Sequence, residues 1–192
     1  DSFAGSLGLY RPQGSTSASA RRLFLPTRAN NRLYAIEADG AGLTCRGGSE
    51  SQDCSGDGLV LAVGGRTAQD PFDLAFRGSE LFVTHLRRDS DGDDSFDANL
   101  ARLDAESFSG LSFVGIGAAP SEGIVDTPAG LYFTGRALRL DGTDQSEALR
   151  ALVDGAVIDA RITESVWIKE TRGLGVSTDG KRLFVATRGT RT

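Results

Sequence analysis

Short apolar runs that alternate with polar residues recur along the chain, and nowhere does a helical period persist for more than a turn or two. Four runs share one pattern: Leu23-Phe24-Leu25-Pro26-Thr27-Arg28, Leu81-Phe82-Val83-Thr84-His85, Leu131-Tyr132-Phe133-Thr134-Gly135-Arg136 and Leu183-Phe184-Val185-Ala186-Thr187-Arg188. Their first leucines lie 58, 50 and 52 residues apart. A period of roughly 40 to 50 residues is that of one four-stranded propeller blade.

Each period divides into four strand-like pieces. An alternating run such as Phe72-Asp73-Leu74-Ala75-Phe76 or Leu174-Gly175-Val176 comes first, then a turn such as Thr178-Asp179-Gly180-Lys181, then the shared segment. Asp-Gly between two apolar runs signals a hairpin, because glycine tolerates positive φ and aspartate bonds its own backbone. Third strands are expected around Leu33 and Ile36, Leu100 and Leu103, and Leu149 and Leu152; fourth strands at Leu59 to Val63, Leu111 to Ile116 and about Ser165 to Ile168. Gln145 to Val153 would also suit one helical face, but the repeat register places it in a strand.

The expected fold is therefore all-β: a β-propeller of four-stranded antiparallel blades. Blade I covers about 6–65, blade II 71–118, blade III 122–169 and half of blade IV 172–192, about three and a half blades in all. A propeller hides its strand edges by closing into a ring, so the chain is expected to be part of a longer propeller. The alternative is a four-bladed ring patched by Asp1 to Gly5.

Composition agrees: 25 glycines, roughly twice the usual share, favour many tight turns. The longest uncharged stretch, Ser107 to Ser121, has 15 residues and four serines, too few apolar positions for a membrane-spanning helix. A net charge of −5 argues against nucleic-acid binding through a broadly basic surface. With no Met in the chain, residue 1 is not an initiator, and the chain is expected to be processed or an excerpt. Cys45 and Cys54, in a polar loop without a second cysteine pair or a neighbouring histidine, read as a local disulfide and hence a compartment outside the cytoplasm; free thiols are the alternative.

Gly173-Leu174-Gly175-Val176-Ser177-Thr178-Asp179-Gly180-Lys181-Arg182-Leu183-Phe184-Val185-Ala186-Thr187-Arg188-Gly189 resembles the repeat of the bacterial YVTN-type β-propeller family. Arg28 to Asp39 and Pro71 to His85 resemble it more loosely. Thr178 stands where the repeat usually has Pro, Thr187 where it usually has Asn, and residues 40–58 and 87–98 are insertions. The Cys-bearing insertion together with Pro71-Phe72-Asp73-Leu74 also resembles surface lipoproteins of this family from Gram-negative bacteria. The resemblance implies a seven- or eight-bladed ring in the periplasm, on the outer-membrane surface or outside the cell. It implies binding more than catalysis, and leaves open whether a lipid anchor lies outside this sequence.

Candidate chemistry is sparse. Asp89, Asp91, Asp93 and Asp97 occupy relative positions 1, 3, 5 and 9 of an acidic loop, a spacing that can converge on one Ca²⁺ because a hard cation takes six to eight oxygens. The glycine, Gly92, sits at position 4 rather than 6, and a solvated acidic loop is the competing reading. His85 is the only histidine, and a structural role fits it better than a triad. Arg28, Arg136 and Arg188 share one repeat position and could form an anion- or partner-binding face, or else pair with hairpin aspartates.

The leading expectation is an extracytoplasmic protein-binding or scaffold module in an envelope or surface assembly. The alternatives are a metal-dependent propeller enzyme of lactonase or lyase type, for which Asp73 and Asp126 are the inner-strand acids, and a purely structural subunit. Asp91→Ala and Asp93→Ala should lower the thermal midpoint in calcium and leave it unchanged in chelator; equal midpoints for variant and parent in calcium would remove the metal.

Overall fold

The computed structural model describes residues 7–11, 21–28, 31–39, 42–45, 58–68, 70–85, 99–116, 119–136, 147–159 and 171–187. Among the described residues there is no helix, so none is long and apolar enough to cross a membrane, and the architecture is all-β. In the first sheet β1 (Gly8–Tyr10), β2 (Arg21–Thr27), β3 (Arg32–Asp39) and β4 (Gly42–Cys45) lie in that order, and β5 (Leu59–Val60) pairs with the other half of β3. A hairpin of β6 (Ala62–Val63) and β7 (Arg66–Thr67) follows.

The second sheet contains β8 (Pro71–Arg77), β9 (Glu80–His85), β10 (Asn99–Asp104) and β11 (Ser109–Gly115); the third contains β12 (Ala119–Thr127), β13 (Gly130–Arg136), β14 (Glu147–Val153) and β15 (Ala156–Asp159). A final pair, β16 (Thr171–Val176) and β17 (Leu183–Thr187), completes the described chain. Every pairing is antiparallel. The sheets stack in chain order through their first strands: β8 against β1 and β2, β12 against β8 and β9, β16 against β12.

The period of two sorts side chains between neighbouring sheets. On β9, Leu81 and Val83 join the cluster shared with the first sheet, while Phe82 joins the cluster shared with the third. With both faces covered, Leu81 to His85 are buried at five successive positions. Between the first two sheets Phe24 is wholly buried, its ring 5.5 Å from Phe76 and 5.8 Å from Phe108. Phe108 holds φ 55°, a left-handed backbone that a bulky side chain rarely adopts, and its ring is packed into this cluster.

Two outer strands differ from the sequence reading. The third sheet is completed by β15, not by 165–168, which lie outside the described residues. Asp154 and Gly155 both have positive φ, 49° and 79°, the twisted two-residue turn that lets β14 fold straight back. In the first sheet the outer edge is shared: β4 covers Ile36 to Asp39, β5 covers Arg32 and Leu33, and Ala62–Val63 turns away to pair with β7.

A polar clamp seals the first interface. The Tyr10 hydroxyl donates to Glu106 Oε1 at 2.9 Å, and Arg22 Nη1 donates to the carbonyls of Ala105 and Glu106 at 3.0 and 2.5 Å. Burial, then the Glu106 carboxylate, favour the neutral phenol and push Tyr10 up from 10.0 to about 12. A group raised on folding contributes its full stabilisation below the unfolded value and loses it as pH climbs through the folded one. One of the three tyrosines should therefore ionise near pH 12 in a phenolate absorbance titration. Tyr10→Phe should abolish that step and flatten the loss of stability between pH 10 and 12; a titration curve that Tyr10→Phe leaves unchanged near pH 12 would refute the clamp.

Candidate functional site

The first strands of the stacked sheets are irregular at the same place. Register shifts occur between Pro71 and Leu74 in β8, between Pro120 and Ile124 in β12, and between Thr171 and Gly173 in β16. A bulge withdraws a backbone group from its ladder, and the neighbouring second strand supplies the replacement. Asp73 N donates to Thr84 Oγ1 at 3.0 Å, and Gly123 N donates to Thr134 Oγ1 at 3.3 Å. Both threonines are wholly buried.

The bulge also reaches the next sheet. Asp73 Oδ1 accepts from Leu74 N at 2.9 Å, and Oδ2 accepts from Ile124 N at 3.1 Å, so one carboxylate joins β8 to β12. Asp126 lies near the other end of β12 and pairs with Arg77 Nη1 at 2.8 Å. The two acids that an inner-strand enzyme centre would draw on are thus placed at opposite ends of the strands, each tying the second sheet to the third.

Antiparallel order sends the connections after β2, β9 and β13 to one end of the sheets and the turns after β8, β12 and β16 to the other. At the first end, Arg28 holds its guanidinium 5.6 Å from the Phe72 ring centroid, a cation–π contact from the first sheet to the second. Arg136 closes β13 at the same end, with its side chain outside the described residues, and Arg188 lies outside them altogether. Asn31 pins residues 58–70 here: its carbonyl accepts from Leu61 N at 3.1 Å and its Oδ1 from Asp70 N at 2.9 Å.

His85 closes β9, wholly buried, with Nε2 3.0 Å from Asn99 Oδ1 and its ring edge-on to Phe113 at 6.3 Å. It links β9, β10 and β11. Asp89, Asp91, Asp93 and Asp97 lie outside the described residues, in the connection from β9 to β10. Cys45 ends β4 with its backbone opposite Ile36, while its side chain and Cys54 are outside. Among the described residues no group of three His, Cys, Asp or Glu is placed to hold a metal ion.

At the turn end, the seam between the second and third sheets opens into a notch of about 190 Å³, floored by Phe82, Val114 and Leu152 and rimmed by Arg77, Arg102 and Glu80. Arg102 Nη1 lies 3.4 Å from Glu80 Oε1. Small-molecule sites run from roughly 300 to 1,000 Å³, so the notch suits a single side chain. Nothing local in sequence announces it, because its lining comes from five strands and one turn.

Compared with protein-family models and with curated proteins, the chain matches none.

The bulge yields a direct test. Asp73→Ala leaves the Ile124 N–H without its acceptor inside the seam and should cost about 1–3 kcal/mol in urea unfolding. Asp73→Asn keeps a carboxamide oxygen and should cost less. An alanine variant as stable as the parent would show that the carboxylate does not join the sheets.

Proposed function

We propose that the chain is a section of a β-propeller that serves as a protein-binding or scaffold module in an assembly outside the cytoplasm, engaging its partner through the end that bears the long connections. The observation carrying this reading is the succession of sheets, each meeting the next through an inner strand that bulges at one repeated position. That arrangement makes a scaffold from which the connections after β9 and β13 leave at one end, the usual division of labour between framework and binding loops. The resemblance of Gly173 to Gly189 to the YVTN-type repeat and the Cys45 and Cys54 pair support the compartment. Asp73 and Asp126 are engaged in contacts between sheets, which favours binding over inner-strand catalysis. The acidic connection from Asp89 to Asp97 leaves β9 at the binding end, where Ca²⁺ would order it.

Two measurements on the protein in its native host test the reading. Intact mass should rise by about 2 Da on reduction as the bridge takes up two hydrogens; both cysteines reacting with iodoacetamide without reductant would reject the compartment. A photo-crosslinking residue at position 92 should yield a protein adduct and one at position 155, on the turn end, none; the reverse pattern would place the partner elsewhere.

A further inference from the structure

Six Asp-Gly pairs occur in the chain, and two of them, Asp154-Gly155 and Asp179-Gly180, lie wholly within the described residues. Glycine has no side chain to shield its amide nitrogen and turns freely about φ, so at such a pair that nitrogen can reach the carboxyl carbon before it. Both pairs sit in hairpin turns, and both glycines hold positive φ, 79° and 69°. Their surroundings differ.

The carboxylates differ first. Asp179 Oδ1 accepts from the Ser177 hydroxyl at 2.5 Å and from Lys181 N at 3.1 Å. These bonds, Ser177 foremost, hold its carboxyl below the ordinary value, so less of it carries the proton with which an oxygen can leave as water. Asp154 is exposed, and among the described residues no hydrogen bond or ion pair engages its carboxylate. The glycines differ in the same sense. Gly180 N donates to Ser177 O at 2.8 Å, whereas Gly155 N meets no acceptor among the described residues. A Cβ on Gly180 would lie 3.0 Å from Pro128 Cδ and Cγ, and one on Gly155 would meet nothing within 4 Å. Asp154 and Gly155 also border the notch between the second and third sheets, which leaves room for a ring and for water.

We propose that Asp154-Gly155 is a site of self-modification, where the chain converts aspartate to isoaspartate through a cyclic imide. Gly155 N gives up its proton and bonds to Asp154 Cγ, the hydroxyl of the protonated carboxyl leaves, and proton and hydroxyl make one water. Water then adds to either carbonyl of the five-membered ring. Opening at Cγ restores aspartate; opening at the main-chain carbonyl leaves the backbone running through Cβ and Cγ. The attack requires Asp154 to leave its left-handed turn, and β15 permits this: it has four residues and, among the described residues, pairs with β14 alone. Short edge elements of this kind open at low cost. Isoaspartate adds one backbone carbon to a two-residue turn whose shape sets the Val153–Ala156 register, so conversion unseats β15 from β14. The inference depends on this turn alone and is independent of the function proposed above.

The folded chain is aged at neutral pH and body temperature and cut with trypsin, which separates the two pairs into 151–161 and 173–181. Electron-transfer fragmentation then distinguishes isoaspartate from aspartate at each position. Conversion at 154 should run about tenfold or more faster than at 179, because hydrogen bonds must open at the second turn before its atoms can react. In guanidinium chloride the two rates should converge, since the reacting dipeptide is the same. Ser177→Ala should raise conversion at 179, and Asp154→Glu, whose ring would be six-membered, should abolish it at 154. Equal rates in the folded chain, faster conversion at 179, a ratio that unfolding leaves unchanged, or no response at 179 to Ser177→Ala would each overturn the inference.

Discussion

Neighbouring sheets come closest backbone to backbone, where β12 passes β16 so tightly that only glycine fits at position 123. Strands that close cannot keep both a full ladder and a side chain at the contact, and the bulge removes the conflict. It turns one residue out of register, and a buried threonine on the second strand accepts the freed N–H, Thr84 for Asp73 and Thr134 for Gly123. What then occupies the bulge depends on the next sheet. Asp73 extends a carboxylate to Ile124 N, and Gly123 lets Leu174 come into contact. The spacing between the second and third sheets, and between β12 and β16, follows from that one position.

Charge contributes less than its visibility suggests. Arg77 and Asp126 are 39% and 32% exposed and Arg102 and Glu80 more so; surface pairs of this kind are worth about 0–1 kcal/mol. A fully buried Phe or Leu side chain contributes about 1.5–3 kcal/mol. Phe24, Phe133, Leu33, Leu81, Leu100 and Leu131 are all completely buried. The Arg77–Asp126 pair therefore adds little to a seam between sheets already held by apolar contact, and the Arg102–Glu80 pair lies within the second sheet. Arg22 binds the Ala105–Glu106 turn, since its donors fit carbonyls presented by a neighbouring sheet.

Much of the fold was legible because alternation and turn chemistry are local. The four shared segments form second strands, and Gln145 to Val153 contributes the strand β14 that the repeat required. At Thr178 to Lys181, Gly180 holds φ 69° and Asp179 Oδ1 accepts from Lys181 N at 3.1 Å, as an Asp-Gly turn should. The Asp154-Gly155 turn carries the same signal, but a repeat register that placed the fourth strand farther on concealed it. The contacts between sheets were not legible. Asp73 and Ile124 are 51 residues apart, and a bulge breaks the very alternation by which strands are recognised. The left-handed Phe108 was equally hidden, since its conformation is imposed by the aromatic cluster and not by its neighbours in sequence.

The contacts between sheets are directional. The second sheet uses both its faces, and β9 shows this on a single strand: Leu81 and Val83 pack toward the sheet before it and Phe82 toward the sheet after it. Phe24 is met by Phe76 of the following sheet, and Gly123 is met by Leu174 of the following strand. Because the covering residue differs from the covered one at each seam, the sheets are buried only in sequence, and one interface sets the orientation of the next.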